Sequence, residues 1–313
     1  SGRRLNEPPS AMYVARVSGI PTMAKLPFQE TADGLDAAFV GVPIDTGTSN
    51  RPGAFGPRQI RVESALLRAY NSGTGAAPFE SLMVADIGDV NVNLYDLKDT
   101  CRRITEAYRK ILATGCIPLT MGDHTIAYPI LKAVAEHGPV GLIHVDAHAD
   151  TTDVALGEKI SHATPFRRCV DEGILDCKRV VQIGLRGSGY SADPYEWNRA
   201  QQGFRVVPVE ECWFKSLAPL MAEVRSQMGS GAVYLSFDID ALDPGFAPGT
   251  GTPEIAGLTP IQGVEIIRGC RGLNLVGCDL VEVSPPYDTT NTALTGANLL
   301  FEMLCVLPKM KYL

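Results

Sequence analysis

The chain has 313 residues, of which 45% are hydrophobic and 20% charged; this composition is typical of a folded chain with a large apolar core and excludes disordered and fibrous classes. A formal net charge of −7 disfavours nucleic acid as a partner, because phosphate binding needs a basic surface, and favours small cationic ligands. Apolar runs are shorter than the roughly 18 residues of a membrane span and no signal-peptide core opens the chain, so we expect a soluble, intracellular protein without a membrane partner.

Apolar runs of strand length alternate with segments of helical period, which is typical of βα units around a parallel sheet buried on both faces. Helices are predicted at residues 97–112 and 217–228, after an N-cap at Thr259, and at 291–307. In such a sheet, the loops that follow the strands gather along one edge, where α/β active sites lie. We predict an α/β fold with eight strands, at residues 36–43, 82–87, 117–121, 140–145, 180–185, 204–209, 233–239 and 273–283.

The eight cysteines occur singly, without a C-x-x-C pair, and most lie in apolar runs. Free cysteine behaves as a small apolar side chain, and disulfides are rare in intracellular proteins. We therefore interpret all eight as reduced core residues.

Chemistry-bearing side chains follow the strand predicted at 140–145, which ends in Asp146-Ala-His148-Ala-Asp150. Because residues i, i+2 and i+4 of an extended chain point the same way, two carboxylates and an imidazole converge at this strand end. His144 shares their face but lies deeper in the strand, and we interpret it as hydrogen-bonded there.

Two other strand ends carry the same residue types. One supplies Asp238 and Asp240, followed by Asp243 before a proline, which is typical of a turn residue; another delivers His124 just before a helix. Four carboxylates buried together require protonation or a cation, so two histidines and four aspartates indicate a site for two divalent ions. Carboxylate and imidazole ligands without thiolate favour Mn²⁺, although the affinity order alone favours Ni²⁺, Cu²⁺ or Zn²⁺.

Four longer motifs surround these residues: His144-Val-Asp-Ala-His-Ala-Asp150, Ser236-Phe-Asp-Ile-Asp-Ala-Leu-Asp-Pro244, Ala247-Pro-Gly-Thr-Gly-Thr-Pro-Glu254 and Glu282-Val-Ser-Pro-Pro-Tyr-Asp288. Together they resemble the ureohydrolases, the family of arginase and agmatinase, over nearly the whole chain. The match is closest to the agmatinases, and residues 6–11 are particularly similar to the animal mitochondrial type.

The resemblance implies a three-layer α/β/α fold of the arginase type and a centre of two Mn²⁺ ions. We expect residues 1–35 to form an N-terminal extension and residues 36–313 a single ureohydrolase domain. By the same match, Glu282 binds the guanidinium group of the substrate and His162 is the proton shuttle. The implied ligands are His124, Asp146, Asp150 and Asp238 for one ion and Asp146, His148, Asp238 and Asp240 for the other.

The implied activity is hydrolysis of a guanidinium group to urea and an amine. Metal-activated water supplies the nucleophile, Glu282 orients the group by charge-assisted hydrogen bonds, and an imidazole protonates the leaving amine. Agmatine, which gives putrescine, is the expected substrate. A guanidino acid such as 4-guanidinobutyrate is the alternative, because the loop 151–160 that meets the substrate tail offers Asp153 or Glu158 to an ammonium and Lys159 to a carboxylate.

The chain also departs from the family pattern. Agmatinases usually have two glycines before Asp-His, as Gly-Gly-Asp-His, whereas this chain has a single glycine in Met121-Gly-Asp-His124. The motif is thus apparently one residue short, and a register slip there would displace His124. A non-catalytic, regulatory homologue is thus a further hypothesis, which the intact ligand set and Glu282 disfavour. The resemblance also implies a homo-oligomer, a trimer or hexamer, and the mitochondrial matrix as location, with the cytoplasm as the alternative.

Overall fold

The structure is a computed structural model that describes residues 4–50, 53–288 and 290–313. Its strands form one parallel sheet in the order β2-β1-β3-β8-β7-β4-β5-β6. The strands are β1 (Ala37–Gly41), β2 (Val84–Asp89), β3 (Ile117–Gly122), β4 (Val140–Val145), β5 (Leu175–Leu185), β6 (Arg205–Pro208), β7 (Ala232–Asp238) and β8 (Asn274–Val281). The helices are α1 (Gly56–Glu63), α2 (Pro78–Ser81), α3 (Leu97–Ala113), α4 (Ala127–Val134), α5 (Pro165–Asp171), α6 (Ala218–Met228), α7 (Pro260–Arg268) and α8 (Asn291–Leu304).

Two hydrophobic cores cover the two faces of the sheet. Leu142 and Tyr234 belong to the core that includes residues of α3, α4 and α5. Their neighbours Ile143 and Leu235 point the other way, into the core that includes residues of α6, α7 and α8. This alternation follows from the period of two in an extended strand, and it confirms the predicted three-layer α/β/α arrangement.

All eight predicted strands are present. The largest difference is in β5, which begins at Leu175 rather than at residue 180. Thr259 caps α7 as predicted: its side chain accepts the Gln262 N–H, and the Gln262 side chain accepts the Thr259 N–H, the reciprocal pair that satisfies two free donors at a helix start. The helices α1, α2 and α5 were not predicted, because they are too short to show a helical period, whereas α4 is the helix predicted after His124.

The cysteines are all free, and only Cys177 is not fully buried. This agrees with their interpretation as reduced core residues. Across the described ranges, no helix has the length and apolarity needed to cross a membrane.

The order of the sheet brings the predicted site together. β3, β8, β7 and β4 are consecutive neighbours, so their carboxyl ends lie side by side at one edge. Each of the four ends carries a predicted site residue: His124 after β3, Glu282 after β8, Asp238 at the end of β7 and Asp146 after β4. The extension predicted at residues 1–35 stays a prediction.

Candidate metal centre and active site

His124 lies at the middle of the cluster and is fully buried. Its Nδ1 atom is 2.6 Å from Asp150 Oδ2, 3.1 Å from Asp146 Oδ2 and 3.3 Å from Asp238 Oδ2. No register slip has therefore displaced His124, although the motif before it is short. Despite these distances, Nδ1 has no partner in hydrogen-bonding geometry among the described residues.

This unpartnered nitrogen is an observation in favour of a cation. A buried polar atom normally has a hydrogen-bond partner, and Nδ1 of a neutral imidazole is also a common metal ligand. Three carboxylate oxygens gathered around one nitrogen, without hydrogen-bond geometry, match a ligand shell better than a donor–acceptor pair. The residues around His124 thus fit a divalent ion.

A second group of ligands adjoins the first through Asp146. His148 Nδ1 is 3.1 Å from Asp240 Oδ2 and 3.4 Å from Asp146 Oδ1, and His148 is the most exposed of these side chains at 30%. The two groups share Asp146, whose oxygens face different imidazoles. All six predicted ligands therefore lie together in an arrangement that suits two neighbouring ions.

His144 is also close enough to count as a ligand, but its nitrogens have other partners. Nε2 is 2.7 Å from Asp146 Oδ2 and Nδ1 is 3.0 Å from Gln182 Nε2. The structure thus agrees with the interpretation of His144 as a hydrogen-bonded residue. Asp243 likewise takes a turn position, where its carboxylate accepts the backbone N–H groups of Gly245 and Gly257.

The carboxylates of the cluster have opposed pKa shifts. Burial raises the pKa of Asp238 well above its usual range, and the charges of Asp146 and Asp240 raise it further. Burial and the Asp146 charge likewise raise the pKa of Asp240 to about 6. Burial also disfavours the charged form of Asp146, but the contacts with His144, His124 and His148 outweigh it and lower the pKa well below its usual range. Without a cation, these groups therefore compete for protons, which divalent ions would displace.

Glu282 and His162 face each other beside the cluster. Glu282 Oε1 accepts the His124 backbone N–H at 2.7 Å and lies 3.7 Å from His162 Nδ1. Burial raises the pKa of Glu282, but the His162 imidazole lowers it more, so the pKa lies below its usual range. Burial conversely lowers the pKa of His162, yet Glu282 dominates and raises it to about 9.

Two of these residues have left-handed backbone conformations that non-glycine residues rarely adopt. Glu282 has φ +72° and Asp150 has φ +52°. Such conformations cost of order 1–3 kcal/mol each and persist at functional sites where the surroundings enforce them. The surrounding structure therefore holds both residues, Glu282 directly after β8 and Asp150 in the loop after β4, in conformations with a backbone cost.

Further residues support the site without having been predicted. Arg186 is buried and donates to the backbone carbonyls of Asp240 and Glu254, both at 2.8 Å, which ties two loops of the site together. Glu254 in turn lies 3.3 Å from His148 Nε2. Asp279, buried within β8, accepts from Ser236 Oγ, which contacts His124 Nε2 at 2.8 Å. A charged residue inside the apolar run of β8 is the signal by which Asp279 could have been found.

A cavity of about 340 Å³ opens beside the cluster, lined partly by His148, Asp150 and His162. Asp153 does not line it, because its carboxylate is ion-paired with Arg168 of α5. Glu158 lines an adjoining cavity of about 540 Å³, which also includes His162. Lys159, the alternative tail contact, is an exposed side chain that lines neither cavity.

Comparison with known proteins identifies the family. The family model described as the arginase family matches residues 35–305. The chain is 72% identical to "Agmatinase, mitochondrial" of Gallus gallus, over 98% of this chain and 92% of the relative. It is 71% identical to "Guanidino acid hydrolase, mitochondrial" of Homo sapiens, over 97% and 87% of the two chains.

Two further matches extend the comparison to a bacterial enzyme and to a solved structure. "Guanidinobutyrase" of Pseudomonas aeruginosa is 62% identical over 98% of both chains. The structure of proclavaminate amidino hydrolase from Streptomyces clavuligerus has a TM-score of 0.87 and 36% identity, and it covers 94% of this chain and 100% of its own. The chain therefore belongs to the arginase family and is a ureohydrolase, an enzyme that hydrolyses guanidino compounds.

Proposed function

We propose that this enzyme hydrolyses an ω-guanidino acid to urea and an ω-amino acid. The lining of the 340 Å³ cavity is the observation that carries the proposal. Among the described residues of that lining, the carboxylates are Asp150 and Asp238, which belong to the metal cluster, and Glu254, which contacts His148. The cavity therefore offers no uncommitted carboxylate to the ammonium group of an amine tail.

The remaining wall of the cavity suits a carboxylate tail. It includes the hydroxyl-bearing residues Thr152, Ser188 and Tyr190 and the segment 187–189. Hydroxyl and peptide N–H groups donate hydrogen bonds to a carboxylate, and charge makes such bonds shorter and stronger. The names of several relatives support the same substrate class: guanidino acid hydrolases of human and rat, at 71% and 68% identity, and a bacterial guanidinobutyrase at 62%.

Agmatine is the second candidate substrate. The Gallus gallus relative named agmatinase is 72% identical, and a net charge of −7 attracts a dicationic substrate. Glu158, in the adjoining cavity, is the carboxylate that would receive its ammonium group. Hydrolysis would then yield putrescine.

The metal ligands in this proposal are the residues of the cluster. His124, Asp146, Asp150 and Asp238 would hold one ion, and Asp146, His148, Asp238 and Asp240 the other. When bound, two Mn²⁺ ions supply an activated water at neutral pH, and the oxygen-rich donor set favours Mn²⁺ over softer ions, with Ni²⁺ as an alternative.

Glu282 and His162 perform the remaining steps. Glu282, held in place by the His124 N–H, pairs with the guanidinium group and orients its central carbon for attack. In the metal-free protein, the Glu282 carboxylate raises the pKa of His162 to about 9, so the free site holds a protonated imidazole near neutral pH. His162 gives this proton to the leaving amine nitrogen, without which the tetrahedral intermediate cannot release urea.

The proposed location and assembly rest on relatives and resemblance. Relatives named mitochondrial, at 71% and 72% identity, support the mitochondrial matrix as location. A homo-oligomer, trimer or hexamer, stays a prediction from the family resemblance. The 1–35 extension also remains a proposal, supported by a family match that begins at residue 35.

Urea release tests the proposed function. Mn²⁺-loaded enzyme is assayed with 4-guanidinobutyrate, 3-guanidinopropionate, agmatine and arginine at matched concentrations, with Glu282→Gln as the inactive control. We expect the guanidino acids to have the highest kcat/KM. Faster turnover of agmatine would overturn the substrate class but keep the chemistry, whereas no urea from any compound would support the non-catalytic hypothesis.

A further inference from the structure

A chain of four hydrogen bonds joins the wall of the substrate cavity to Asp146. Thr151 Oγ1 donates to Asn198 Oδ1 at 3.1 Å, and Asn198 Nδ2 donates to Gln182 Oε1 at 2.6 Å. Gln182 Nε2 lies 3.0 Å from His144 Nδ1, and His144 Nε2 lies 2.7 Å from Asp146 Oδ2. Gln182, His144 and Asp146 are fully buried, and Asn198 is 1% exposed.

A single backbone carbonyl sets the direction of every bond in this chain. Gln182 Nε2 also lies 2.8 Å from the carbonyl oxygen of Ala149. A carbonyl oxygen only accepts, so the atom facing it must be the amide nitrogen. Gln182 therefore donates to His144 Nδ1, which must be the unprotonated nitrogen. The proton of a neutral His144 is then on Nε2, where it is donated to Asp146.

The surrounding structure holds the members of the chain in place. His144 and Gln182 are paired residues of the neighbouring strands β4 and β5. The ring of Phe166 packs on His144 at a centroid distance of 4.4 Å. Asn198 lies in a π-helix, Trp197–Gln201; such irregular turns are rare and frequently occur at functional sites.

We propose that Gln182 and Asn198 are positioning residues that fix the Nε2–H tautomer of His144 and thereby the orientation of Asp146. The other tautomer would place a lone pair against the Asp146 carboxylate and turn it away. Asp146 is the residue shared by both ligand groups, so its rotation would weaken both at once. This inference rests on the metal site of the proposed function, and the network explains how that site is kept rigid before any ion binds.

The tautomer is measured directly in the metal-free protein. The chain has five histidines, so ¹⁵N-histidine labelling gives few ring signals, and His144→Gln assigns those of His144. We expect ¹⁵N shifts of a neutral ring protonated on Nε2 in the wild type, and loss of that pattern in Asn198→Asp, where an acceptor faces Gln182 Oε1. A wild-type His144 protonated on Nδ1 would overturn the proposal.

The effect on the metal site is measured as the apparent Kd for Mn²⁺ by competition with a fluorescent chelator. Gln182→Met, which keeps the volume but removes the amide, is expected to weaken Mn²⁺ binding about 10- to 100-fold, as is usual for groups that orient metal ligands. The matched control is Gln227→Met, since the Gln227 amide donates to the backbone carbonyls of Lys178 and Val180 in the same strand. This variant should bind Mn²⁺ like the wild type.

Equal Mn²⁺ affinity of Gln182→Met and wild type would refute the positioning role. If Gln182→Met does not fold, the proposal is tested by the ¹⁵N spectra of the wild type and of the near-isosteric Asn198→Asp variant. If the wild type itself binds no Mn²⁺, the proposed function fails, while the ¹⁵N spectra of the metal-free protein still test the tautomer independently.

Discussion

Replacing Glu282 by glutamine removes the carboxylate that keeps His162 protonated. Burial by itself lowers the pKa of His162, and Glu282 is the largest influence that raises it, to about 9 from the ordinary 6.5. Without Glu282, the smaller contributions of Asp150 and Asp123 oppose the same burial. We therefore expect the pKa of His162 in metal-free Glu282→Gln to fall to 6.5 or below.

The size of this effect follows from the two pKa values. At pH 7.5, a group with a pKa of about 9 is about 97% protonated, and one with a pKa of 6.5 is about 9% protonated. The difference between these two pKa values corresponds to roughly 3 kcal/mol, and solvent screens it little because the His162 side chain is only 13% exposed. Since the folded pKa is raised, this stabilisation is fully present below pH 6.5 and is lost as the pH rises through about 9.

Two measurements check this prediction in chelator-treated protein. NMR titration of the histidine rings gives the pKa of His162, and urea denaturation at several pH values gives the free energy of unfolding. Between pH 6.5 and pH 9.5, the free energy of unfolding of the wild type should fall by roughly 3 kcal/mol more than that of Glu282→Gln. Glu254→Gln is the matched control, because Glu254 contacts His148. An unchanged pKa of His162 in Glu282→Gln would refute the interaction on which the proposed proton donor depends.

Three further predictions concern stability. Phe166→Ala should lower the free energy of unfolding by about 3–5 kcal/mol. It should also weaken Mn²⁺ binding, because the Phe166 ring packs on the rings of His124 and His144 at centroid distances of 5.3 Å and 4.4 Å. Unchanged Mn²⁺ affinity would contradict this second effect. Arg61→Met should lower the free energy of unfolding, measured by urea denaturation, by about 3–5 kcal/mol, because it leaves the buried Asp86, 2% exposed, without its ion pair. The enzymatic rate of urea release per folded chain should not change. Mn²⁺ at about 100 times its Kd should raise stability by about 2.7 kcal/mol per site, and an unshifted thermal transition would argue against ion binding to the folded cluster.

The sequence allowed the sheet and the ligand cluster to be predicted for the same physical reason. Period-two alternation predicted one face for Asp146, His148 and Asp150, but β4 ends at Val145 and Asp150 has a left-handed backbone, so the position after the strand end rather than the alternation brings the three together. Parallel strands bring their carboxyl ends to one edge, so Asp238 and His124 arrive at the same place without any knowledge of strand order. The short helices and the exact strand limits were less predictable, because packing rather than local period determines them.

The supporting contacts and the substrate tail were not predictable in this way. The chain from Thr151 through Gln182 to His144 depends on the register of β4 and β5 and on a π-helix, neither of which has a sequence signal. Asp153, a predicted tail contact, pairs instead with Arg168 of α5, a partner that only the packing of that helix reveals. Loop residues have no periodicity, so the sequence does not predict which of their side chains line the cavity.

Metal stoichiometry tests the central claim most directly. Metal-free protein is incubated with excess Mn²⁺, freed of unbound metal by gel filtration and analysed by mass spectrometry for Mn²⁺ per chain. We predict two Mn²⁺ ions per wild-type chain and one in His148→Ala, which loses a ligand of only one group. Fewer than two ions per wild-type chain, or two retained by His148→Ala, would contradict a centre of two ions held by these six residues.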